Sequence, residues 1–200
     1  MPPAVEGTLR VGLVAAFGRW KGQDLFLNAI AGMAATPPVR FYIVGGAIYH
    51  TAGSQFTEEE LRREASNLGV ADRVGFTGFQ RDTAGIYRAL DVVVHASTQP
   101  EPFGRAIAEA MACARPVIVS RAGGAEELFR EDFDAVGFEP GDAHDLGRLM
   151  RALADDPTRR ARLSEQARRS AVERFSRDRL AREVAAAYGK LTRGRVIIAP

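Results

Sequence analysis

Six short apolar runs, separated by amphipathic stretches, constrain the fold of this chain more than any other feature. Several runs are too uniformly apolar for a sheet with one face in water, so they predict parallel strands buried on both faces. Between them, apolar side chains recur at helical spacing, and Thr57 with Glu60 forms the pattern of a helix-capping box. The alternation predicts an α/β fold: a Rossmann-like doubly wound parallel sheet of about six strands, with helices on both faces and a C-terminal helical tail. The predicted strands span residues 9–17, 39–46, 73–79, 91–97, 115–120 and 134–140.

The pattern becomes wholly helical from Asp142 onward. A last helix is predicted to open near Ser176 and to keep one apolar face. That face contains Leu180, Val184, Tyr188 and Leu191. The chain is therefore predicted to form one folded unit over residues 9–191, with a linker remnant at 1–8 and a tail at 192–200.

Composition narrows the possible partners and compartments. The 200 residues are 46% hydrophobic with a net charge of only +2, so the chain can bury a full core and shows no basic stripe typical of nucleic-acid binding. The single cysteine, Cys113, is expected in the core and excludes an internal disulfide framework. With no apolar stretch of membrane-spanning length, we expect a soluble cytoplasmic protein. The nine arginines between Arg159 and Arg182 favour a solvated helix face, with peripheral contact to an anionic membrane as the alternative.

Two glutamates flank the start of one predicted helix. In a doubly wound sheet, ligands bind at the carboxyl ends of the strands, and the loops there carry glycines and charges. A helix that begins near residues 103–105 would offer free N–H groups to an anion, and a phosphate fits that description. Glu101 precedes this helix, whereas Glu109 lies about one and a half turns inside it. The two carboxylates can therefore bind a sugar and a ribose on opposite sides of a phosphate, which indicates a nucleotide-sugar.

Five motifs resemble the C-terminal, donor-binding domain of GT-B fold glycosyltransferases, family 4. The segment EPFGRAIAEAMACARPVIVS resembles that family's E-x7-E segment, and WKGQDLFLNAI resembles its K-G element. The second and third strands, FYIVGG and RVGFTGF, and the later GGAEELF follow in the family's order. The resemblance extends from about Leu9 to Leu191.

The resemblance implies a role for each matched residue. Lys21 would contact the donor diphosphate, Glu101 the transferred sugar and Glu109 the ribose. Further donor contacts are implied for Gly46, Phe79, Phe103, Gly104, Arg105 and Glu127. The implied reaction transfers a hexosyl unit from a UDP-, GDP- or ADP-sugar with retention of configuration, without a cofactor or an obligatory metal. Lys21 and the helix N–H groups would stabilise the leaving diphosphate.

Two features depart from the family's pattern. The usual glycine-arginine pair before the lysine is replaced by Ala15 and Ala16, and Arg19 is the candidate replacement for the missing arginine. A GT-B enzyme also has a second, N-terminal domain that binds the acceptor, whereas only eight residues precede the first predicted strand in this sequence. We therefore expect a missing acceptor-binding partner and a chain that is inactive by itself.

Other interpretations stay open. A stand-alone nucleotide-sugar binding module without transferase activity fits the same motifs, whereas a dinucleotide-dependent oxidoreductase lacks its G-x-G-x-x-G after the first strand. Lys21 and Glu127 could each be surface residues. His95, at the end of an apolar strand, is expected to be a packed core histidine rather than an acid or base.

Overall fold

Six parallel strands form a single sheet in a computed structural model that describes residues 7–34, 38–48 and 52–192. The strand order is β3-β2-β1-β4-β5-β6, so the direction of winding reverses between β1 and β4. The strands are β1 Leu9–Val14, β2 Val39–Val44, β3 Val74–Phe76, β4 Val92–His95, β5 Val117–Ser120 and β6 Val136–Phe138. All six predicted strands are present and the doubly wound fold is confirmed.

Seven helices connect and follow the strands within the described residues. They are α1 Gln23–Ala31, α2 Glu58–Asn67, α3 Thr83–Ala89, α4 Arg105–Ala112, α5 Ala143–Asp155, α6 Pro157–Phe175 and α7 Arg177–Thr192. Short 3₁₀ turns span Arg19–Lys21 and Glu126–Leu128. The predicted capping box is present at α2, where the Glu60 N–H donates to Thr57 Oγ1 at 3.1 Å and the Thr57 N–H donates to Glu60 Oε2 at 2.7 Å. None of the helices in these described ranges is long and apolar enough to cross a membrane.

The sheet is buried on both faces, as the uniformly apolar strands predicted. Along β2, Phe41 and Ile43 belong to one apolar cluster, whereas Tyr42 and Val44 belong to the other. The first cluster includes side chains of α1, α2 and α5, and the second includes side chains of α3, α4 and α6. Alternate side chains of each strand therefore pack against helices on opposite sides.

Two arginines of the arginine-rich segment donate hydrogen bonds to backbone carbonyls elsewhere in the protein, so they do not face solvent alone. Arg168 donates to the carbonyl of Ala112 at 2.6 Å, at the end of α4. Arg174 donates to the carbonyls of Leu128 and Glu127 at 2.9 and 2.7 Å. These carbonyls end short helical elements, where a cation is favourable. The favoured prediction of a solvated face is thus incomplete, and membrane contact stays a prediction.

The last helix, α7, forms where the sequence predicted it. Its apolar residues Leu180, Val184 and Tyr188 are exposed to 63%, 45% and 66% rather than buried. Most of the predicted linker remnant at 1–8 and of the tail at 192–200 lies outside the described residues.

Candidate functional site

A cavity of about 560 Å³ lies at the carboxyl ends of β1, β2 and β4, where the strand order reverses. Its walls come from the loops after these strands, from residues 79 and 80 after β3, and from the facing sides of α3 and α4. The cavity brings together most of the predicted site residues. They are Lys21, Phe79, Glu101, Phe103, Gly104, Arg105 and Glu109. The volume is within the range of small-molecule sites.

Lys21 is held over the end of β4 by the glycine that follows it. Gly22 has φ +75°, and a Cβ at this position would lie 2.0 Å from the carbonyl oxygen of Ala96. Only glycine allows both this left-handed backbone and this close approach. The 3₁₀ turn that ends at Lys21 therefore packs directly against the segment after β4, and the lysine side chain reaches Glu101.

Three polar side chains surround one carboxylate oxygen of Glu101. Lys21 Nζ lies 2.5 Å from Glu101 Oε2, Ser97 Oγ donates to the same oxygen at 3.1 Å, and His95 Nε2 is 3.5 Å away. The His95 ring, followed by Lys21, lowers the pKa of the Glu101 carboxyl from 4.5 to about 2, although burial opposes this shift. Glu101 is therefore ionised at neutral pH.

His95 was predicted as a packed core residue, and its ring is indeed buried at 8% exposure. Its Nε2 nevertheless lines the cavity beside Glu101 and lies 3.3 Å from Ser97 Oγ. Neither Ser97 nor this polar contact of His95 was predicted from the sequence. Their position at the carboxyl end of β4, the edge where ligands bind in such sheets, was the available signal.

The loop that carries Glu101 is fixed by the two glycines of the GGAEELF motif. The Glu101 N–H donates to the Ala122 carbonyl at 3.0 Å, and the Gly124 N–H donates to the Glu101 carbonyl at 2.8 Å. A Cβ at Gly124 would lie 2.4 Å from the carbonyl oxygen of Pro102. The glycines therefore allow two loops to approach as closely as paired strands. Glu127, in the same motif, is exposed and is not among the residues that line the cavity.

The N-terminus of α4 lies between the two glutamates. Gly104 is the N-cap residue, and Gly104, Arg105 and Ala106 all line the cavity. The first N–H groups of a helix lack partners within the helix, and the helix dipole makes this end partly positive. The predicted phosphate-binding position is therefore part of the cavity.

Glu109 is contacted through both of its carboxylate oxygens. Tyr87 donates its hydroxyl to Glu109 Oε2 at 3.2 Å, and Arg105 Nη2 lies 3.2 Å from Oε1. Burial and then the charge of Glu109 raise the pKa of the Tyr87 phenol above its usual range. Tyr87 was not predicted as a site residue, because its position in an amphipathic helix indicated packing alone.

Arg19 does not line the cavity. Its guanidinium pairs with Glu60 at 3.0 Å, donates to the Gly53 carbonyl at 3.1 Å and stacks over the Phe56 ring at 4.3 Å. The structure therefore gives no support to Arg19 as the replacement for the missing arginine. Gly46 lies beside Phe79 at the cavity edge without lining it.

The fold agrees with that of a known protein family. Residues 3–170 match the model of the family glycosyl transferases group 1, and the chain belongs to this family. The lipopolysaccharide core biosynthesis glycosyltransferase LpsE of Rhizobium meliloti is 31% identical over 166 residues, which cover 83% of this chain and 46% of LpsE.

Two solved structures share the fold. Anabaena HepE in complex with UDP-glucose superposes with a TM-score of 0.83 at 32% identity, covering 92% of this chain and 49% of HepE. The C-terminal domain of the group 1 protein LpcC of Francisella tularensis gives a TM-score of 0.74 at 25% identity, covering 84% of this chain and 87% of that domain. The chain thus spans about half the length of LpsE and HepE and nearly all of the isolated LpcC domain.

Proposed function

We propose that this chain is the donor-binding half of a retaining glycosyltransferase that moves a hexosyl unit from a nucleoside diphosphate sugar to an acceptor. One observation carries the proposal: Lys21, Glu101, the N-terminus of α4 and Glu109 all line one cavity. Its order of polar groups suits a donor whose diphosphate lies between a sugar and a ribose. The similarity to HepE, whose structure contains UDP-glucose, supports the same ligand class.

The Lys21–Glu101 ion pair suggests how the site accepts its donor. In the structure each charge neutralises the other at 2.5 Å. A diphosphate would compete for Lys21, and a sugar hydroxyl would donate to Glu101 in place of the lysine. As the bond between the anomeric carbon and the diphosphate oxygen breaks, Lys21 and the N–H groups of α4 would stabilise the departing charge. No step in this scheme is assigned to a metal, and independence from metal is part of the proposal.

A thermal-shift panel tests donor binding. It contains UDP, GDP, ADP, UDP-glucose and NADH, each with and without EDTA. A nucleotide at a hundred times its Kd stabilises the folded chain by about 2.7 kcal/mol. At this chain length such a gain raises Tm by roughly 5 to 10 °C. A response to one of the diphosphates that persists in EDTA supports the proposal, whereas a response to NADH alone would indicate an oxidoreductase.

A stand-alone nucleotide-sugar binding module is the second candidate, because the walls of the cavity come from loops and helices around one sheet. Transfer assays with radiolabelled UDP-glucose and a panel of lipid, sugar and protein acceptors separate the two. We expect no transfer by this chain alone and transfer after addition of a separately expressed acceptor-binding half. Donor binding without transfer under both conditions would favour the binding module.

A further inference from the structure

Tyr87 is a core residue that also lines the cavity, and its hydroxyl oxygen is the only polar atom of its side chain. The side chain belongs to α3, is 2% exposed and packs in the second apolar cluster. A buried phenol hydroxyl requires a hydrogen-bond partner, since leaving it unpaired is costly. The partner here is Glu109 Oε2 on α4, at 3.2 Å. The packed Tyr87 ring thus places a hydrogen-bond donor beside one oxygen of Glu109.

Arg105 contacts the other oxygen of Glu109 but constrains it less. The Arg105 side chain is 84% exposed, and the Glu109 side chain is 38% exposed. An exposed ion pair one helical turn apart is weakened by solvent and by the flexibility of the arginine. The Tyr87 ring is buried and packed on its neighbours, so its hydroxyl oxygen is held more firmly than the exposed Arg105 guanidinium.

The contact leaves Glu109 able to accept further hydrogen bonds. A carboxylate has about four lone-pair positions, and Tyr87 and Arg105 occupy two of them. The 2′- and 3′-hydroxyls of a ribose are donors that suit the remaining positions, whereas a sugar without these hydroxyls leaves them unpaired. Sites built around such hydrogen bonds discriminate strongly against ligands that lack the donor. The Tyr87 phenol is protonated at neutral pH and can donate, and burial raises its pKa further from that range.

We propose that Tyr87 is a positioning residue that orients Glu109 toward the ribose and thereby makes the cavity selective for ribonucleotides. This inference rests on the proposed function, because it takes the ligand to be a nucleoside diphosphate. It assigns Tyr87 no contact with the reacting atoms.

The ratio of affinities for UDP and 2′,3′-dideoxy-UDP, measured by titration calorimetry, tests the inference. We expect the wild-type chain to prefer UDP by roughly 10- to 100-fold. Tyr87→Phe should reduce this preference to a few-fold by weakening UDP, while dideoxy-UDP affinity stays within about twofold. Tyr42→Phe is the matched control, because Tyr42 is a fully buried tyrosine of the same cluster that does not line the cavity. Its ratio should equal that of the wild type.

Two further variants make the outcome specific. In a Glu109→Gln background, Tyr87→Phe should have no additional effect on the ratio, because the two residues act through one contact. Arg105→Ala removes a cavity-lining residue as well as the exposed partner of Glu109, so it is expected to weaken both nucleotides alike and to leave the ratio of their affinities within about twofold of the wild-type value.

Three results would overturn the inference. Equal losses for both nucleotides in Tyr87→Phe would make Tyr87 purely structural, and collapse of the preference in Arg105→Ala would transfer the orienting role to Arg105. A wild-type chain that binds UDP without any preference would show that Glu109 does not recognise the ribose. Failure of the wild type to bind any nucleoside diphosphate would instead contradict the proposed function itself.

Discussion

The shifted pKa of the Glu101 carboxyl makes the stability of the folded chain depend on pH. This pKa is about 2 in the folded chain against an ordinary 4.5, because His95 and Lys21 favour the charged form. The unfolded chain therefore binds this proton more readily than the folded chain. The stabilisation from Glu101 is complete above about pH 4.5 and is lost as the pH falls toward about 2.

Urea unfolding at pH 6 and pH 3 tests this linkage. Between these two values we expect the wild-type free energy of unfolding to fall further than that of Glu101→Gln, by about 1 to 2 kcal/mol after allowance for solvent screening. Glu127→Gln is the control, since that side chain is exposed outside the cavity. If the wild type and Glu101→Gln lose stability in parallel, Glu101 is not held ionised by its neighbours.

Arg19 and Lys21 are two residues apart but have different surroundings. Arg19 is bound to Glu60 and Phe56, whereas Lys21 lines the cavity. We expect Lys21→Met to weaken UDP binding by roughly 10- to 100-fold and to reduce its dependence on salt. Arg19→Met should leave UDP affinity within about twofold. Calorimetry at two salt concentrations measures both variants. Comparable losses of UDP affinity in the two would show that Arg19 also contacts the ligand.

Site residues could be predicted from the sequence where they belong to a recognisable motif. They could not be predicted where their role depends on a contact with another element of the fold. Lys21, Glu101 and Glu109 all line the cavity; the spacing had singled out the two glutamates, and the family resemblance had added Lys21. Tyr87 and Ser97 did not stand out, because helical or strand position shows that a residue is buried but not which polar atom of another element it meets.

At the scale of elements, the turn through Gly22 joins the first strand to the site. Gly22→Ala places a Cβ on a backbone with φ +75° and against a backbone oxygen that cannot move independently. We expect a loss of about 2 kcal/mol or more in the free energy of unfolding, together with weaker UDP binding as Lys21 shifts. Urea unfolding and calorimetry measure the two effects.

Gly32→Ala is the matched control for this variant. Gly32 ends α1 with φ −75°, and its added Cβ would have no neighbour closer than 3.6 Å. We expect its stability to stay within about 0.5 kcal/mol of the wild type. A Gly22→Ala chain as stable as the Gly32→Ala chain would mean that the turn adapts without cost.

Elements were predicted well in kind and less well in length. β4 was predicted over 91–97 and spans Val92–His95, because the chain leaves the sheet to form the cavity wall at Ala96 and Ser97. An apolar run shows that a segment is buried, but it does not show where pairing with the neighbouring strand stops. The prediction of a solvated face for the arginines of α6 was incomplete, because the sequence does not reveal the helix ends that they contact.

At the scale of the whole molecule, we expect that donor binding and sugar transfer can be separated. The cavity is formed by loops and helices around one sheet, and this chain covers 87% of the isolated LpcC domain. Transfer also requires an acceptor held close to the sugar carbon, and such positioning can account for roughly 7 to 11 kcal/mol of barrier reduction. Because the chain spans about half of LpsE, we expect that contribution from another part of the enzyme.

We propose that one cavity holds a nucleotide-sugar, with Glu101 bound to the sugar and Glu109 bound to the ribose. Titration calorimetry of UDP and UDP-glucose with the wild type, Glu101→Ala and Glu109→Ala tests it most directly. We predict that Glu109→Ala weakens both ligands by roughly 10- to 100-fold, whereas Glu101→Ala weakens UDP-glucose to that extent and does not weaken UDP. Equal losses of UDP and UDP-glucose affinity in both variants would contradict the account.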